Sequence, residues 1–187
     1  IAVVVGKPGT GKSYMLNAAR ETWEAAGYNV LGTTVAGIAS EGLYKESGIR
    51  SKVIASMNYS LKQGYFKFGE KDILVIDEAG MVDTYDMQNL LRHARRGGAK
   101  VVLVGDTRQL QPIGPGAPLR AIIDQTNYSL MTMIRRQDVK WQRNASYKLS
   151  RGDISAIDLY MKNDRAKILE KQDEVIPKII LDWSSQT

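Results

Sequence analysis

The sequence has no cysteine and only one histidine, His93. The absence of cysteine excludes disulfides, thiolate zinc sites and cysteine nucleophiles, and it is compatible with a reducing compartment, so we expect a cytoplasmic location. No apolar run approaches the roughly 20 residues of a membrane span, and we expect no membrane partner. No internal repeat or low-complexity tract interrupts the chain. What remains is an ordinary globular composition, with 43% hydrophobic and 25% charged residues.

The chain carries a surplus of positive charge. The formal net charge is +6, and the sequence pI is near 9.4. Such a balance favours a polyanionic partner, although a bound nucleotide could use part of the charge.

A glycine-rich segment follows the apolar run Ile1–Val5. It reads Gly-Lys-Pro-Gly-Thr-Gly-Lys-Ser over Gly6–Ser13, the spacing and context of a phosphate-binding loop. Glycines let successive main-chain N–H groups surround phosphate oxygens at the start of the next helix. The segment predicts nucleoside triphosphate binding; the alternative is a turn that binds nothing. The expected phosphate-binding residues are Gly6, Pro8, Gly9, Thr10, Gly11, Lys12 and Ser13, with Ser13 also expected to bind Mg²⁺.

Short apolar runs alternate with helical patterns along the chain, and this alternation predicts an α/β fold. Together with the phosphate-binding loop, it indicates a P-loop NTPase. Because the runs are apolar throughout, we expect a parallel sheet flanked by helices on both faces. The predicted strands are Ile1–Val5, Asn29–Thr33, Asp72–Ile76, Lys100–Val104 and, more weakly, a segment near Tyr128–Met131.

Two helix boundaries can be predicted from the sequence. The segment Thr84–Arg96 carries apolar residues at i, i+3, i+4 and i+7, with Thr84 as the expected N-cap and Gly97 as the stop. Pro118 suits the first turn of a further helix within Ala117–Asp124.

Two carboxylates, Asp77 and Glu78, directly follow the third predicted strand. Open α/β sheets bind their ligands at this end of the strands. Asp77 is expected to bind Mg²⁺ and Glu78 to orient and deprotonate an attacking water, which favours hydrolysis over transfer. The alternative is a pair of acids that caps a turn.

The fourth predicted strand ends in the polar segment Gly105–Gly116, at the same edge of the sheet. Gln109 has both a donor and an acceptor group, so it could contact a γ-phosphate oxygen and the attacking water together. Taken alone, the segment is more typical of a surface loop.

Several motifs together resemble a known family. Asp77–Met81, Gly105–Gly116 and Ile134–Gln137 resemble motifs II, III and IV of superfamily 1B helicases of the RecD type, and the phosphate-binding loop supplies motif I. With Ala25–Val30 and Gly37–Leu43 added, the chain is more specifically similar to the motor region of conjugative relaxase-helicases of the TraA type.

This resemblance implies a single RecA-like first motor domain over residues 1–187, with 138–187 a mainly helical portion leading toward a second motor domain. The resemblance implies that the second motor domain and a relaxase domain lie elsewhere in the same polypeptide. The only histidine, His93, cannot form the cluster of metal-binding histidines that the family's nicking centre uses. The implied cofactors are ATP and Mg²⁺, and the implied partner is single-stranded DNA.

The resemblance also assigns roles to residues. Lys12, Glu78 and Gln109 become catalytic, with Gln109 contacting the nucleotide as the γ-phosphate sensor. Arg136 becomes an arginine finger, with Arg135 as its competitor.

Motif Ia of the family would place Thr33, Thr34 and Gly37 against single-stranded DNA, where hydroxyls and main-chain amides bind phosphates without reading sequence. Tyr59 opens the aromatic and basic stretch Tyr59–Phe68, which could stack on bases. Its alternative role is to complete a hydrophobic core.

Two further functions are compatible with a phosphate-binding loop. One is a small-molecule P-loop kinase, against which Glu78 and the Gly105–Gly116 segment argue. The other is a non-catalytic nucleic-acid-binding module. A GTPase is disfavoured because the sequence contains no Asn-Lys-x-Asp guanine signature.

Overall fold

A computed structural model describes residues 1–133, 137–169 and 171–184. The chain divides into two compact units, Ile1–Arg136 and Gln137–Thr187. The predicted arginine finger Arg136 and its competitor Arg135 lie outside the described residues.

The first unit is built on a six-stranded parallel sheet with the strand order β3-β2-β4-β5-β1-β6. Each predicted strand is present, including the weak one at the edge. One strand, Arg50–Val53, escaped prediction because two of its four residues are basic and it contains no apolar run. The strands are β1 Ala2–Gly6, β2 Asn29–Thr34, β3 Arg50–Val53, β4 Asp72–Ile76, β5 Lys100–Gly105 and β6 Ser129–Met131.

Helices cover both faces of the sheet, which confirms the predicted fold class. Successive side chains of β4 point to opposite faces, so Leu74 and Ile76 join one hydrophobic core while Ile73 and Val75 join the other. Apolar runs in the sequence therefore correspond to strands buried on two sides. The helices of this unit are α1 Lys12–Ala25, α2 Gly37–Ser47, α3 Ile54–Lys62, α4 Thr84–Gly97 and α5 Pro118–Ile123.

The predicted cap of α4 is wrong by one residue. Asp83, not Thr84, is the N-cap, and its carboxylate accepts a hydrogen bond from the Asp86 main-chain N–H at 2.8 Å. The last helical residue is Gly97, and Gly98, with a φ of 73° in the left-handed region, is the C-cap, one residue beyond the predicted stop. Pro118 does begin α5, as predicted.

The second unit consists of helices α6 Lys140–Leu149, α7 Ala156–Lys162 and α8 Val175–Ser184. Its fully buried side chains are small, Ala145 and Ala156, and Trp141 meets Tyr160 edge to face at 5.4 Å. In the described parts of the chain, no helix combines the length and apolar character needed to cross a bilayer.

Candidate active site

Three neighbouring parallel strands, β4, β5 and β1, bring their carboxyl ends together at one edge of the sheet. The segments that follow them surround a cavity of about 600 Å³. The position agrees with the general rule for open α/β sheets. The sequence-predicted residues that line this cavity are Pro8, Gly9, Gly11, Lys12, Ser13, Asp77, Glu78 and Gln109.

The shape of the loop after β1 depends on glycine. Gly9 and Gly11 have φ values of 76° and 86°, which side chains with a Cβ rarely adopt. The buried Thr10 hydroxyl donates to the Lys7 carbonyl at 2.8 Å, and a Cβ on Gly6 would lie 2.7 Å from that hydroxyl oxygen. Gly6 and Thr10 thus stabilise the conformation of the loop, although neither residue lines the cavity.

Lys12 supplies positive charge to the cavity. Its ammonium donates to the main-chain carbonyls of Gly6 and Lys7, at 2.7 and 3.1 Å. The same charge opposes the rise in the pKa of both Asp77 and Glu78. Lys12 therefore lies where it interacts with the loop and with both carboxylates.

Asp77 is half-buried, and hydrogen bonds to its neighbours hold it in place. One carboxylate oxygen accepts a hydrogen bond from the Glu78 main-chain N–H at 2.9 Å, and the Asp77 N–H donates to the Thr33 carbonyl at 3.0 Å. Burial raises the pKa of Asp77, the Glu78 hydrogen bond and Lys12 lower it, and Glu46 adds a smaller rise. The anionic form of Asp77 is therefore disfavoured relative to a carboxylate in water, even with Lys12 nearby.

Glu78 occupies a strained backbone conformation. Its φ of 53° lies in the left-handed region and precedes the 3-10 turn Ala79–Met81. That turn is packed tightly against the end of β5, because a Cβ on Gly80 would lie 2.7 Å from the Asp106 carbonyl oxygen. Burial raises the pKa of Glu78, and the Asp77 charge raises it further. The packing thus holds a carboxylate of increased basicity at the cavity.

Gln109 reaches the cavity from the loop that follows β5. The buried Asp106 organises this loop. Its carboxylate accepts a hydrogen bond from the Arg108 main-chain N–H at 2.9 Å, and its main-chain carbonyl accepts one from the Gln109 N–H at 3.4 Å. Farther along, the Pro115 carbonyl accepts from the Thr84 N–H at 3.1 Å, which anchors the loop to the start of α4. Hydrogen bonds therefore hold this loop near both of its ends.

Helix α2 contributes a carboxylate, Glu46, that sequence reasoning missed. The same helix also lines the cavity with Ala39, Gly42 and Leu43. The resemblance assigns Gly37, at the start of this helix, to the DNA side, and no local pattern in the sequence indicates that Glu46 lies at the cavity. Only the packing of α2 against α1 brings it there.

The residues predicted to contact DNA lie outside the cavity. Thr33 and Thr34 are buried, and each donates its hydroxyl to a main-chain carbonyl at 2.9 Å. The exposed part of this segment begins at Ala36 and includes Gly37 and Ile38, which has 89% of its surface accessible. The main chain at the start of α2, rather than the threonine hydroxyls, faces outward.

The aromatic stretch divides into two parts. Phe66 and Phe68 pack into the core, as the alternative for this stretch predicted. Tyr59 and Tyr65 are exposed and meet edge to face at 6.3 Å.

A parallel sheet with a glycine loop, an Asp-Glu pair and a glutamine at one edge defines a P-loop NTPase domain. The profile of the AAA domain family matches residues 1–171, and the chain belongs to that family. Conjugal transfer protein TraA of Rhizobium radiobacter is 45% identical over 185 residues, which cover 98% of this chain and 17% of that protein. The ATP-dependent RecD2 DNA helicase of Deinococcus radiodurans is 33% identical over 144 residues, covering 75% of this chain and 20% of the relative.

These relatives confirm the predicted class, a RecD-like superfamily 1B helicase motor domain similar to TraA proteins. The solved Pif1 helicase from Bacteroides, in complex with ADP-AlF3 and ssDNA, has a TM-score of 0.62 and 19% identity. The match covers 97% of this chain and 52% of that chain, and it supports the fold.

Proposed function

We propose that this chain is the first motor domain of a DNA helicase, which binds and hydrolyses ATP with Mg²⁺ and acts on single-stranded DNA within a conjugative relaxase-helicase. The observation that carries the proposal is the convergence of Lys12, Asp77, Glu78 and Gln109 on one cavity at the sheet edge.

The residues present suit a magnesium nucleotide. The glycine loop and the start of α1 offer main-chain N–H groups to phosphate oxygens, and Lys12 adds a point charge. Ser13 and Asp77 are oxygen ligands, and Mg²⁺ typically takes one or two protein ligands together with phosphates and water. In the described part of the chain, no group of three or more acidic or histidine side chains forms a dedicated metal site, which agrees with this mode. When bound, Mg²⁺ would neutralise phosphoryl charge.

Glu78 is the proposed general base. A base works best when its pKa is nearer the operating pH, and burial and Asp77 both raise the pKa of Glu78 in that direction. The left-handed backbone at φ 53° sets the direction in which the Glu78 side chain leaves the main chain. Gln109, on a loop anchored at both ends, is the proposed γ-phosphate sensor.

DNA binding and further domains belong to the same proposal. The start of α2 has no side-chain cap, so its first main-chain N–H groups can bind phosphates without reading sequence. The chain spans about 17% of the TraA protein, and we propose that a second motor domain and a relaxase domain accompany it. A cytoplasmic location, with which the cysteine-free sequence is compatible, completes the proposal.

Two variants test the nucleotide site by separating binding from hydrolysis. Lys12→Ala should weaken Mg-ATP binding severely in calorimetry, whereas Lys45→Ala, an exposed lysine on α2, should not. Glu78→Gln should keep ATP binding yet lower kcat of the full-length protein by about 10²–10⁴, the range for a general base. Glu41→Gln on the exposed face of α2 is its control. Unchanged ATP affinity in Lys12→Ala would remove the site assignment, and normal turnover in Glu78→Gln would remove the base.

A further inference from the structure

One face of helix α2 lines the cavity around Lys12, and Glu46 is the charged residue on that face. Ala39, Gly42, Leu43 and Glu46 recur at intervals of three or four residues, which places them on one side of the helix. Helical side chains lean toward the N-terminus of their helix, and α2 begins at the carboxyl edge of the sheet, just after β2. The Glu46 side chain therefore points back toward the edge where the cavity lies.

The C-terminal end of α2 is held against α1, the helix that begins in the glycine loop. The Arg20 side chain of α1 donates from Nε to the Ser47 carbonyl at 2.8 Å, and Ser47 itself is fully buried. A Cβ on Gly48 would lie 2.9 Å from the same Nε, so glycine permits this close approach. The residue that follows Glu46 is thus fixed to the helix that carries Lys12.

Glu46 lies where a negative charge is disfavoured. It is in the last turn of α2, at the negative end of the helix dipole. Its charge also contributes to the raised pKa of Asp77, so the two carboxylates are within range of each other. Among the residues that the structure describes, none forms an ion pair or a side-chain hydrogen bond with Glu46. A carboxylate held in such a position indicates a ligand that carries positive charge.

A hydrated magnesium ion offers the hydrogen-bond donors that this carboxylate lacks. Mg²⁺ binds ligands octahedrally and usually keeps several water molecules beside one or two protein ligands and the phosphates. Ser13 and Asp77 are the proposed protein ligands, so the positions left over by the phosphates belong to water. Ligands of a metal are in turn held by hydrogen bonds from an outer shell of protein groups. Glu46, close to Asp77, suits that outer shell.

We infer that Glu46 makes the site selective for the magnesium-loaded nucleotide. Its carboxylate accepts hydrogen bonds from water molecules bound to Mg²⁺, and it repels a triphosphate that carries no cation. The inference rests on the proposed function, because it assumes that Mg²⁺ binds at Ser13 and Asp77.

The test measures ATP binding with and without the metal. Calorimetry on the whole chain would compare Mg-ATP with ATP in EDTA for wild type, Glu46→Gln and the control Glu41→Gln, an exposed carboxylate on α2 outside the cavity. Glu46→Gln should weaken Mg-ATP binding about tenfold or more, because outer-shell partners are typically worth roughly 10- to 100-fold in metal affinity. The same variant should bind metal-free ATP roughly two- to fivefold more tightly, because one repelling charge is gone. Glu41→Gln should bind both ligands like wild type.

The signs of the two changes decide between the possible roles of Glu46. Tighter binding of both ligands in Glu46→Gln would mean that the carboxylate only repels phosphate, and weaker binding of both would mean that it supports the shape of the cavity. Either result, or an unchanged affinity for Mg-ATP, overturns the inference.

Ser13→Ala tests the magnesium site of the proposed function separately. It should weaken Mg-ATP binding and leave the binding of metal-free ATP unchanged, because Ser13 carries no charge. If Ser13→Ala bound Mg-ATP like wild type, the magnesium site itself would be wrong, and the role of Glu46 would fall with it.

Discussion

Two segments of the same sheet edge, the one that forms the cavity and the one at the end of β2, use their polar residues in opposite ways. After β1 and β4, the side chains of Lys12, Asp77 and Glu78 converge on a cavity. At the end of β2, Thr33 and Thr34 turn their hydroxyls inward to main-chain carbonyls. A position at the end of a strand thus determines which edge a residue occupies, but local hydrogen bonding determines where its side chain points.

The two segments also differ in their contribution to stability. A buried and satisfied threonine hydroxyl contributes about 0.5–1.5 kcal/mol. The cavity instead concentrates three carboxylates, Glu46, Asp77 and Glu78, around Lys12, and Glu78 adds a strained backbone. Uncompensated charge and strain of this kind are typical of sites that bind a ligand.

The largest expected effect concerns the positive charge at the cavity. Among the described residues that line it, Lys12 is the cation facing three carboxylates, so a triphosphate with Mg²⁺ would leave an excess of negative charge. Arg136, the proposed arginine finger, would supply the missing charge. Arg136→Ala should lower kcat of the full-length enzyme by about 10³ or more with a modest change in stability.

Arg135→Ala is the matched control for this measurement. If its loss were the damaging one and Arg136→Ala were harmless, the alignment with motif IV would be off by one residue. If both variants turned over normally, the finger would lie elsewhere, and the second motor domain would be the next place to search.

A smaller effect is expected at the start of α2, where the main chain is proposed to bind DNA. Ile38→Glu places a negative charge in the first helical turn, which should stabilise the helix by about 0.3–1 kcal/mol and repel a phosphate. We expect weaker single-stranded DNA binding, roughly three- to tenfold in fluorescence anisotropy at low salt, with an unchanged or higher Tm. The slope of log affinity against log salt should fall by about one if one phosphate contact is lost.

Thr34→Val is the comparison variant, because it removes a hydroxyl that is already committed to a carbonyl. It should lower the free energy of unfolding by about 1 kcal/mol and leave DNA affinity unchanged. Weaker DNA binding in Thr34→Val than in Ile38→Glu would reverse the contrast between the two segments. Tyr59→Ala, with Tyr59 exposed on α3, tests the remaining predicted DNA contact in the same assay.

The features that sequence predicts well are those encoded locally. The glycine loop, the Asp-Glu pair and the apolar strands each carry their own pattern, and β1, β2, β4, β5 and β6 follow from it. β3 could not be found, because the basic residues Arg50 and Lys52 at an edge strand resemble a loop. The preference for Asp83 over Thr84 as the cap depends on which side chain reaches the Asp86 N–H. Glu46 reaches the cavity only through helix packing, which no local pattern encodes.

The smallest expected effect tests the cost of charge at the cavity through its pH dependence. The fold raises the pKa of Asp77, mainly by burial, so this group favours the folded state at acidic pH and loses that contribution as pH rises through its folded pKa. Asp77→Asn removes the penalty and keeps an oxygen to accept the Glu78 N–H. Without nucleotide and in EDTA, the variant should have a higher Tm at pH 7, and the gain should shrink as pH falls into the range where Asp77 protonates. For a chain of this size, a gain of about 1 kcal/mol corresponds to roughly 2–4 °C.

Asp153 provides a control of opposite sign in the second unit. Hydrogen bonds from Ser155 lower the pKa of this exposed carboxyl, so its contribution is present at neutral pH and is lost as pH falls through its folded pKa. Asp153→Asn should therefore leave Tm unchanged or slightly lower at pH 7. A Tm gain in Asp77→Asn that stayed constant with pH would show that packing rather than charge is responsible. A loss at pH 7 would show that Lys12 compensates Asp77 fully in the ligand-free protein, and the cavity would then carry no electrostatic strain for a bound cation to relieve.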